Sequence, residues 1–447
     1  MTRQITHPTS VSINKTQKEV SMQFKIGITP AAVALALASF AATTQAATVD
    51  FHGYARSGVG ASTEGGSLVC FKNVGSMGAY RLGNECDTYM ELAFDANLAE
   101  KGDSVFKLHT MIVAGTQQLN DWEQSAPAWR QVWAEATNVG AGPLSNASLW
   151  AGKRYYKRQN VDMLDFWYVE VAGPGAGIEG IDIGGVGKFS YAYMRTGGDL
   201  DYNDPPLNDF FPNYSAGGNK SMTNHDLRLE GIALGSYGSI DAILNIASPN
   251  NREDVKGKGG YAFTAQHTIG VLGGFNRIHA SFAKDGSNLN HGTKWYADDT
   301  LKYEGFQVMD QMVFDSGPFN GSAVIGYQSD KNGDGPTAKQ FTIGVRPWYH
   351  FNDLYSVGGE LGHIEVKPGN GAETRKLDKL TVAAQITAGK SFWSRPAIRA
   401  YYTYAKWNDA LKGSNVTCTG RDCNVKAQGF DDTTNGASYG MQFEAWW

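Results

Sequence analysis

Five large aromatic side chains fall on the polar face of the segments that carry them. Tyr54 shares the parity of Asp50, His52 and Arg56, and Tyr89 that of Glu91 and Asp95. Phe275 is in phase with Arg277 and His279, Trp393 with Arg395 and Arg399, and Trp446 with Glu444 and Gln442. Residues two apart on a strand share a face, so each ring is expected among charged neighbours on the wetter side. The chemistry open to such a set is non-covalent. A pyranose has apolar C–H faces and a polar hydroxyl rim. Aromatic faces take the first, and Arg and carboxylate groups make charge-assisted hydrogen bonds to the second. A row of such sites could pass an oligosaccharide along, because conduction requires binding weak enough to release. For any one ring a girdle or filler role, or a bulge that shifts the phase, is the plainer account. Five rings, each beside ionic groups, favour a binding track.

Other motifs carry less. Residues 175–180 match GxGxxG, but residues 181–183 (Ile-Asp-Ile) read as β rather than as the helix a dinucleotide site needs. A turn is expected there. Residues 330–335 mimic the start of an EF-hand loop, yet its twelfth position is Phe341 and the bidentate carboxylate is missing. A polar turn is again expected. No C-x-x-C or HExxH pattern occurs, and the Gly-x-Ser-x-Gly match at 436–440 falls within the alternating closing stretch rather than on a strand-to-helix elbow. No metal, cofactor or catalytic residue is therefore expected.

The elements that must position the rings are strands. The last ten residues, 438–447, alternate strictly between Tyr, Met, Phe, Ala and Trp on one face and Ser, Gly, Gln, Glu and Trp446 on the other. About ten residues suffice to cross a bilayer as a tilted strand. Similar alternation marks residues 49–60, 89–96, 277–284 and 398–404, and no stretch sustains a helical period. The closing strand is expected to pair with the first and seal a barrel. Long polar segments fall near 196–224, 248–260, 284–303 and 408–435, with much shorter connections between them. Long loops on one side and short turns on the other fit an outer-membrane barrel. Removing residues 1–46 from 447 leaves 401 residues, enough for roughly 16 to 18 strands around a water-filled lumen.

Bulk properties agree. The net charge of −5 gives no basic balance for nucleic acid, and 11 Trp, 21 Tyr and 21 Phe argue against disorder. Lys25, an apolar stretch over 28–42 and small residues at 43–47 read as a signal peptide removed near Ala46. That run is short of the roughly 20 residues a spanning helix needs. Residues 1–21 read as an upstream leader, or Met22 as the true start. Residues 47–447 are expected to form one barrel domain. Four cysteines suit an oxidising compartment and allow three pairings. Local pairs, Cys70 with Cys86 and Cys418 with Cys423, are favoured because each pair brackets one loop, and free thiols remain the alternative.

Taken together, these stretches resemble the maltoporins, the maltodextrin-selective outer-membrane channels of Gram-negative bacteria. The likeness rests on residues 49–58 (VDFHGYARSG), 80–86 (YRLGNEC), 120–123 (NDWE), 150–154 (WAGKR), 173–177 (GPGAG), 274–276 (GFN), 393–399 (WSRPAIR), 404–407 (YAKW) and 446–447 (WW). Residues 190–260 and the loops match poorly. The resemblance implies an all-β transmembrane antiparallel barrel of about 18 strands, a homotrimer, and contact with outer-membrane lipid and lipopolysaccharide. It implies an aromatic slide at Tyr54, Tyr89, Trp122, Phe275, Trp393 and Trp446. Parity selects five of these; Trp122 lies in a polar segment and is expected to reach over a neighbouring subunit. A polar track is implied at Arg56, Arg81, Glu91, Arg130, Arg158 and Asp165, and a first-loop disulfide at Cys70 and Cys86. The Cys418–Cys423 pair is outside the family pattern and is expected to staple a late external loop.

The constriction departs from that pattern. Trp167 stands where the family usually has a tyrosine, Asp162 matches a histidine, and Glu170 matches an aspartate. A narrower eyelet and an altered chain-length preference are expected. The function so implied is facilitated diffusion of maltose and maltodextrins. A porin for another oligosaccharide such as sucrose, or a general diffusion porin, is the alternative.

Overall fold

The computed structural model describes residues 48–118, 121–196, 221–251, 253, 256–292, 300, 302–413, 417–419, 425–426 and 430–447. The leader read over residues 1–46 lies outside them, as does Cys423 and with it the second disulfide. The chain forms an antiparallel sheet of 18 strands. These are β1 (Val49–Ser62), β2 (Thr88–Lys101), β3 (Ser104–Thr116), β4 (Ala128–Thr137), β5 (Ser148–Val161) and β6 (Phe166–Asp182). Next come β7 (Lys188–Thr196), β8 (Met222–Ala233), β9 (Ser239–Pro249), β10 (Gly260–Val271), β11 (Gly274–Asp285) and β12 (Tyr303–Ser316). The sheet is completed by β13 (Phe319–Asn332), β14 (Ala338–His350), β15 (Tyr355–Lys367), β16 (Arg375–Thr387), β17 (Ala397–Trp407) and β18 (Asn435–Trp446).

The sheet closes on itself. β1 pairs with β18 from Tyr54↔Trp446 to Ser62↔Ser438, and with β2 from Val49↔Ala96 to Arg56↔Tyr89. Closure leaves no edge with unpaired backbone groups, which a bilayer would penalise. Alternation decides which way each side chain points. On β17 the burial pattern switches at every residue: Arg399, Tyr401 and Thr403 turn into the lumen, and Ile398, Tyr402 and Tyr404 turn out. Outward aromatics gather at two levels. Phe282, Phe306, Phe341 and Tyr404 lie toward the long-loop end, and Phe319, Tyr349, Phe351 and Tyr355 toward the short-turn end. These are the interfacial girdles of a membrane barrel. The strand ends joined by the long segments expected from sequence, and by 63–87, all lie at one end.

Residues 175–180 differ from expectation. They are not a turn but part of β6, paired with β5 from Gly175↔Gly152 to Glu179↔Ser148. Their glycines give clearance. A Cβ at Gly177 would approach Trp150 Nε1 to 2.8 Å, so the missing side chain makes room for the indole. Of residues 330–335, the first three end β13 and 333–335 leave it as a turn.

Two segments fold inward and fill part of the lumen. The tip of the β5–β6 hairpin crosses to the opposite wall. Tyr168 stacks on His279 of β11 at 3.8 Å, and Arg346 of β14 donates to Met163 O at 3.2 Å. Residues 72–87 pack beside it. The Ala79 and Arg81 amides donate to Leu164 O and Met163 O, and the Cys70–Cys86 disulfide ties the segment's base. Tyr80, only 1% exposed, bonds Thr342 Oγ1 through its hydroxyl at 2.8 Å. Its ring lies against Gly344 of β14 and Gly362 of β15, where any Cβ would overlap it. Gly362→Ala is therefore expected to lift Tyr80 from the wall and cost about 1–3 kcal/mol. A lower urea midpoint and new protease sensitivity in residues 72–87 would report it; an unchanged midpoint would show that the ring moves aside freely.

Candidate functional site

The site is built on the closing seam. Register sets Tyr54 opposite Trp446 and Arg56 opposite Glu444, while β2 places Glu91 beside Tyr54 and Tyr89 beside Arg56. The turn of residues 388–396 brings Trp393 back over β18. The rings run in series: Tyr89 to Tyr54, 6.1 Å between centroids; Tyr54 to Trp446, 6.5 Å; Trp446 to Trp393, 6.2 Å. Four of the six expected aromatic positions thus form one row. Phe275 also faces inward, but on β11, far from the seam in strand order, with the Arg277 guanidinium 5.0 Å from its ring centre. Trp122 stands outside the row in residues 117–127 and is 82% exposed.

Charged groups line the row. Glu444, 3% exposed, is the hub. It accepts hydrogen bonds from Arg81 Nη2 at 2.9 Å, Arg395 Nε at 2.8 Å and Arg399 Nη1 at 3.1 Å. Tyr54 Oη donates to it at 3.2 Å and accepts from Arg81 Nη2 at 2.6 Å. The Arg395 guanidinium also lies on Trp446, 3.9 Å from the ring centre, in cation–π contact. Arg56 forks onto Asp87 with two bonds of 2.9 Å and reaches Glu85 at 3.0 Å. Glu91 accepts from Tyr89 Oη at 2.6 Å.

The inward hairpin adds the rest. Asp165 sits at its tip in a left-handed conformation (φ 50°), 3.5 Å from Arg56 Nη1. Its carboxylate is open to lumen water but walled by protein. Burial there works to raise its pKa, yet the Arg81 and Arg56 guanidiniums outweigh burial and hold it below the usual carboxylate range. Burial likewise opposes the Arg81 charge, but Glu85, Tyr54, Glu444 and Asp162 hold its pKa well above the ordinary value. Arg158 is sandwiched between Tyr155 at 3.5 Å and Trp167 at 4.0 Å. Arg130 donates to Tyr155 Oη from the neighbouring strand. The expected polar residues therefore fall into two groups, one around Arg56, Arg81 and Asp165, the other around Arg130, Arg158 and Trp167. Trp167→Tyr is expected to raise single-channel conductance, because it shrinks the side chain packed on Arg158. Equal conductance in planar bilayers would contradict this.

Some participants were not singled out from sequence. Arg395, Arg399 and Glu444 figured only as neighbours of Trp393 and Trp446, although they share the lumenal parity that marks the hub. Tyr155 carries no such signal, because the β5–β6 register breaks between Tyr156 and Gln159. Glu360 and Lys379 clamp residue 82: its amide donates to Glu360 Oε1 at 3.1 Å and its carbonyl accepts from Lys379 Nζ at 2.6 Å.

The profile of the LamB porin family matches residues 49–447, the whole barrel. The chain belongs to the LamB porin family. It is a porin, a multi-pass β-barrel of the outer membrane that forms a channel. Solved structures similar to this LamB porin include OccAB1 of Acinetobacter baumannii, at 9% identity over 89% of this chain and 96% of that one, with a TM-score of 0.48. OpdL of Pseudomonas aeruginosa is 9% identical over 90% of this chain and 98% of its own, with a TM-score of 0.46. An anion-selective porin from Comamonas acidovorans is 10% identical over 89% and 100%, with a TM-score of 0.40.

Proposed function

We propose that this porin carries maltose and maltodextrins by facilitated diffusion along the row Tyr89–Tyr54–Trp446–Trp393. The observation that supports it best is the spacing of the rings. Successive centroids 6.1–6.5 Å apart form a continuous apolar lane, bordered by Arg56, Arg81, Arg395 and Glu444. A linear glucan can slide its C–H faces along such a lane while its hydroxyls exchange partners on the charged border. The binding is spread over several weak contacts, which favours passage over retention. Phe275 and Trp122 are proposed to extend the lane, Trp122 by reaching into the pore of a neighbouring copy in a homotrimer. Its exposure in the single chain fits that role. Arg130, Arg158, Asp165, Trp167 and Glu91 are proposed to line the narrowest part. Residues 1–46 are proposed to be an export signal.

Liposome swelling tests the sugar class. Maltotriose is expected to enter about tenfold faster than the isomeric trisaccharide raffinose, a difference of about 1.4 kcal/mol. Equal rates would favour a general porin, and faster entry of sucrose than of maltose a porin for that sugar.

A further inference from the structure

The outer wall carries a pattern that the lumen does not use. On six of the seven strands from β11 to β17, the last or penultimate residue at the long-loop end is an outward lysine: Lys284, Lys331, Lys339, Lys367, Lys376 and Lys406. All six are exposed. At the opposite end of the same wall the outward positions are Phe314, Phe319, Tyr349, Tyr355, Ile386 and Ile398. The cations thus form a belt at one membrane boundary only. On the closing side of the barrel the corresponding outward positions are uncharged: Ala61 on β1, Thr88 on β2 and Thr116 on β3.

Register shows where the belt is not neutralised. Lys284 and Lys331 both stand opposite Glu304. Lys376 stands opposite Glu365 and pairs with it at 2.7 Å; Lys406 stands opposite Asp378. Lys339 and Lys367 stand opposite each other, and neither has a carboxylate partner among the described residues. Like charges directly opposed across two strands are unfavourable unless something anionic lies between them. Glu365, two residues from Lys367 on the same face of β15, is engaged by Lys376 and by His363 at 3.3 Å. Phe341, one outward position deeper on β14, gives an apolar floor where an acyl chain would begin.

We propose that Lys339 and Lys367 form a phosphate clamp for the outer-leaflet glycolipid, seating one phosphate of lipid A between β14 and β15. Two ammonium groups held about 5 Å apart at the Cβ atoms can straddle one phosphate. The other four belt lysines each stand opposite a carboxylate, so this is the point of the belt where the register supplies none. The clamp rests on the outer-membrane location and not on the identity of the transported sugar.

The test is equilibrium binding of bisphosphorylated lipid A to the purified full-length channel in detergent, with dephosphorylated lipid A and phosphatidylglycerol as separate arms. Lys339→Gln with Lys367→Gln is expected to weaken bisphosphorylated lipid A about tenfold. It is expected to leave dephosphorylated lipid A and maltohexaose block unchanged. Lys339→Arg with Lys367→Arg keeps both charges and is expected to retain binding, which separates loss of the clamp from loss of folding. Lys376→Gln is expected to have little effect. Equal affinity of the wild type and the Gln pair for bisphosphorylated lipid A would overturn the proposal. Equal binding of the phosphorylated and dephosphorylated forms by the wild type would overturn it too. Stronger binding of phosphatidylglycerol than of lipid A would assign the lysines to general attraction for anionic lipid instead.

Discussion

Glu444→Gln is expected to lower the stability of the folded barrel by about 3 kcal/mol, the range for removing one partner of a buried ion cluster. The substitution keeps size and one acceptor but removes the charge. Arg81 would keep Glu85 and Asp162, but Arg395 and Arg399 would lose the carboxylate they share in a nearly dry corner. Repulsion between the two unpaired guanidiniums, Arg395 and Arg399, is the larger part of the expected cost. Arg81 is also the arm that draws residues 72–87 onto the seam, so its release should loosen that segment. The urea midpoint, read from the folded and unfolded bands of unboiled samples, measures the effect. In an Arg399→Gln background the same change should cost less, because one of the stranded cations is already gone. An unchanged midpoint would mean that Glu444 is not the hub its contacts describe.

Trp446→Ala is expected to weaken maltohexaose binding about tenfold, or about 1.4 kcal/mol. Trp446 is one of the two inner rings of the row, with Tyr54 on one side and Trp393 on the other. Its loss leaves a gap of one ring and frees Arg395 from its cation–π seat. Tyr54→Phe should matter less for sugar, because the Tyr54 hydroxyl is already engaged by Glu444 and Arg81. The dissociation constant from current block decides. An unchanged constant for Trp446→Ala, with normal conductance in salt, would remove the lane from the account.

Much of this was legible in sequence, because parity is a local property. Tyr54, Tyr89, Phe275 and Trp446 could be turned inward by their neighbours two residues away, and the fold turns them so; Trp393 joins the row from the turn 388–396 instead, where strand parity does not apply. The closing pairing of residues 438–447 with the first strand followed from the same alternation. What stayed hidden depends on distant parts of the chain. Arg81 meets Glu444 across 363 residues, and no spacing rule joins a loop arginine to the last strand. The inward turn of residues 72–87 and of the β5–β6 tip is fixed by Tyr80 on Gly344 and Gly362 and by Met163 against β14. Those glycines look like ordinary strand interruptions until the ring that occupies them is known. The stretch 175–180 misled for a related reason. Its glycines suggested a turn, whereas they lie within a strand, and Gly177 leaves room there for Trp150.

The central claim is that aromatic faces on the seam hold a maltodextrin in transit. Its most direct test is titration of maltohexaose against the ion current of the reconstituted wild-type channel, with Trp393→Ala alongside. The account predicts saturable block by the wild type and a dissociation constant about tenfold weaker for Trp393→Ala. A wild-type current that maltohexaose does not block, or block that Trp393→Ala leaves unchanged, would contradict it.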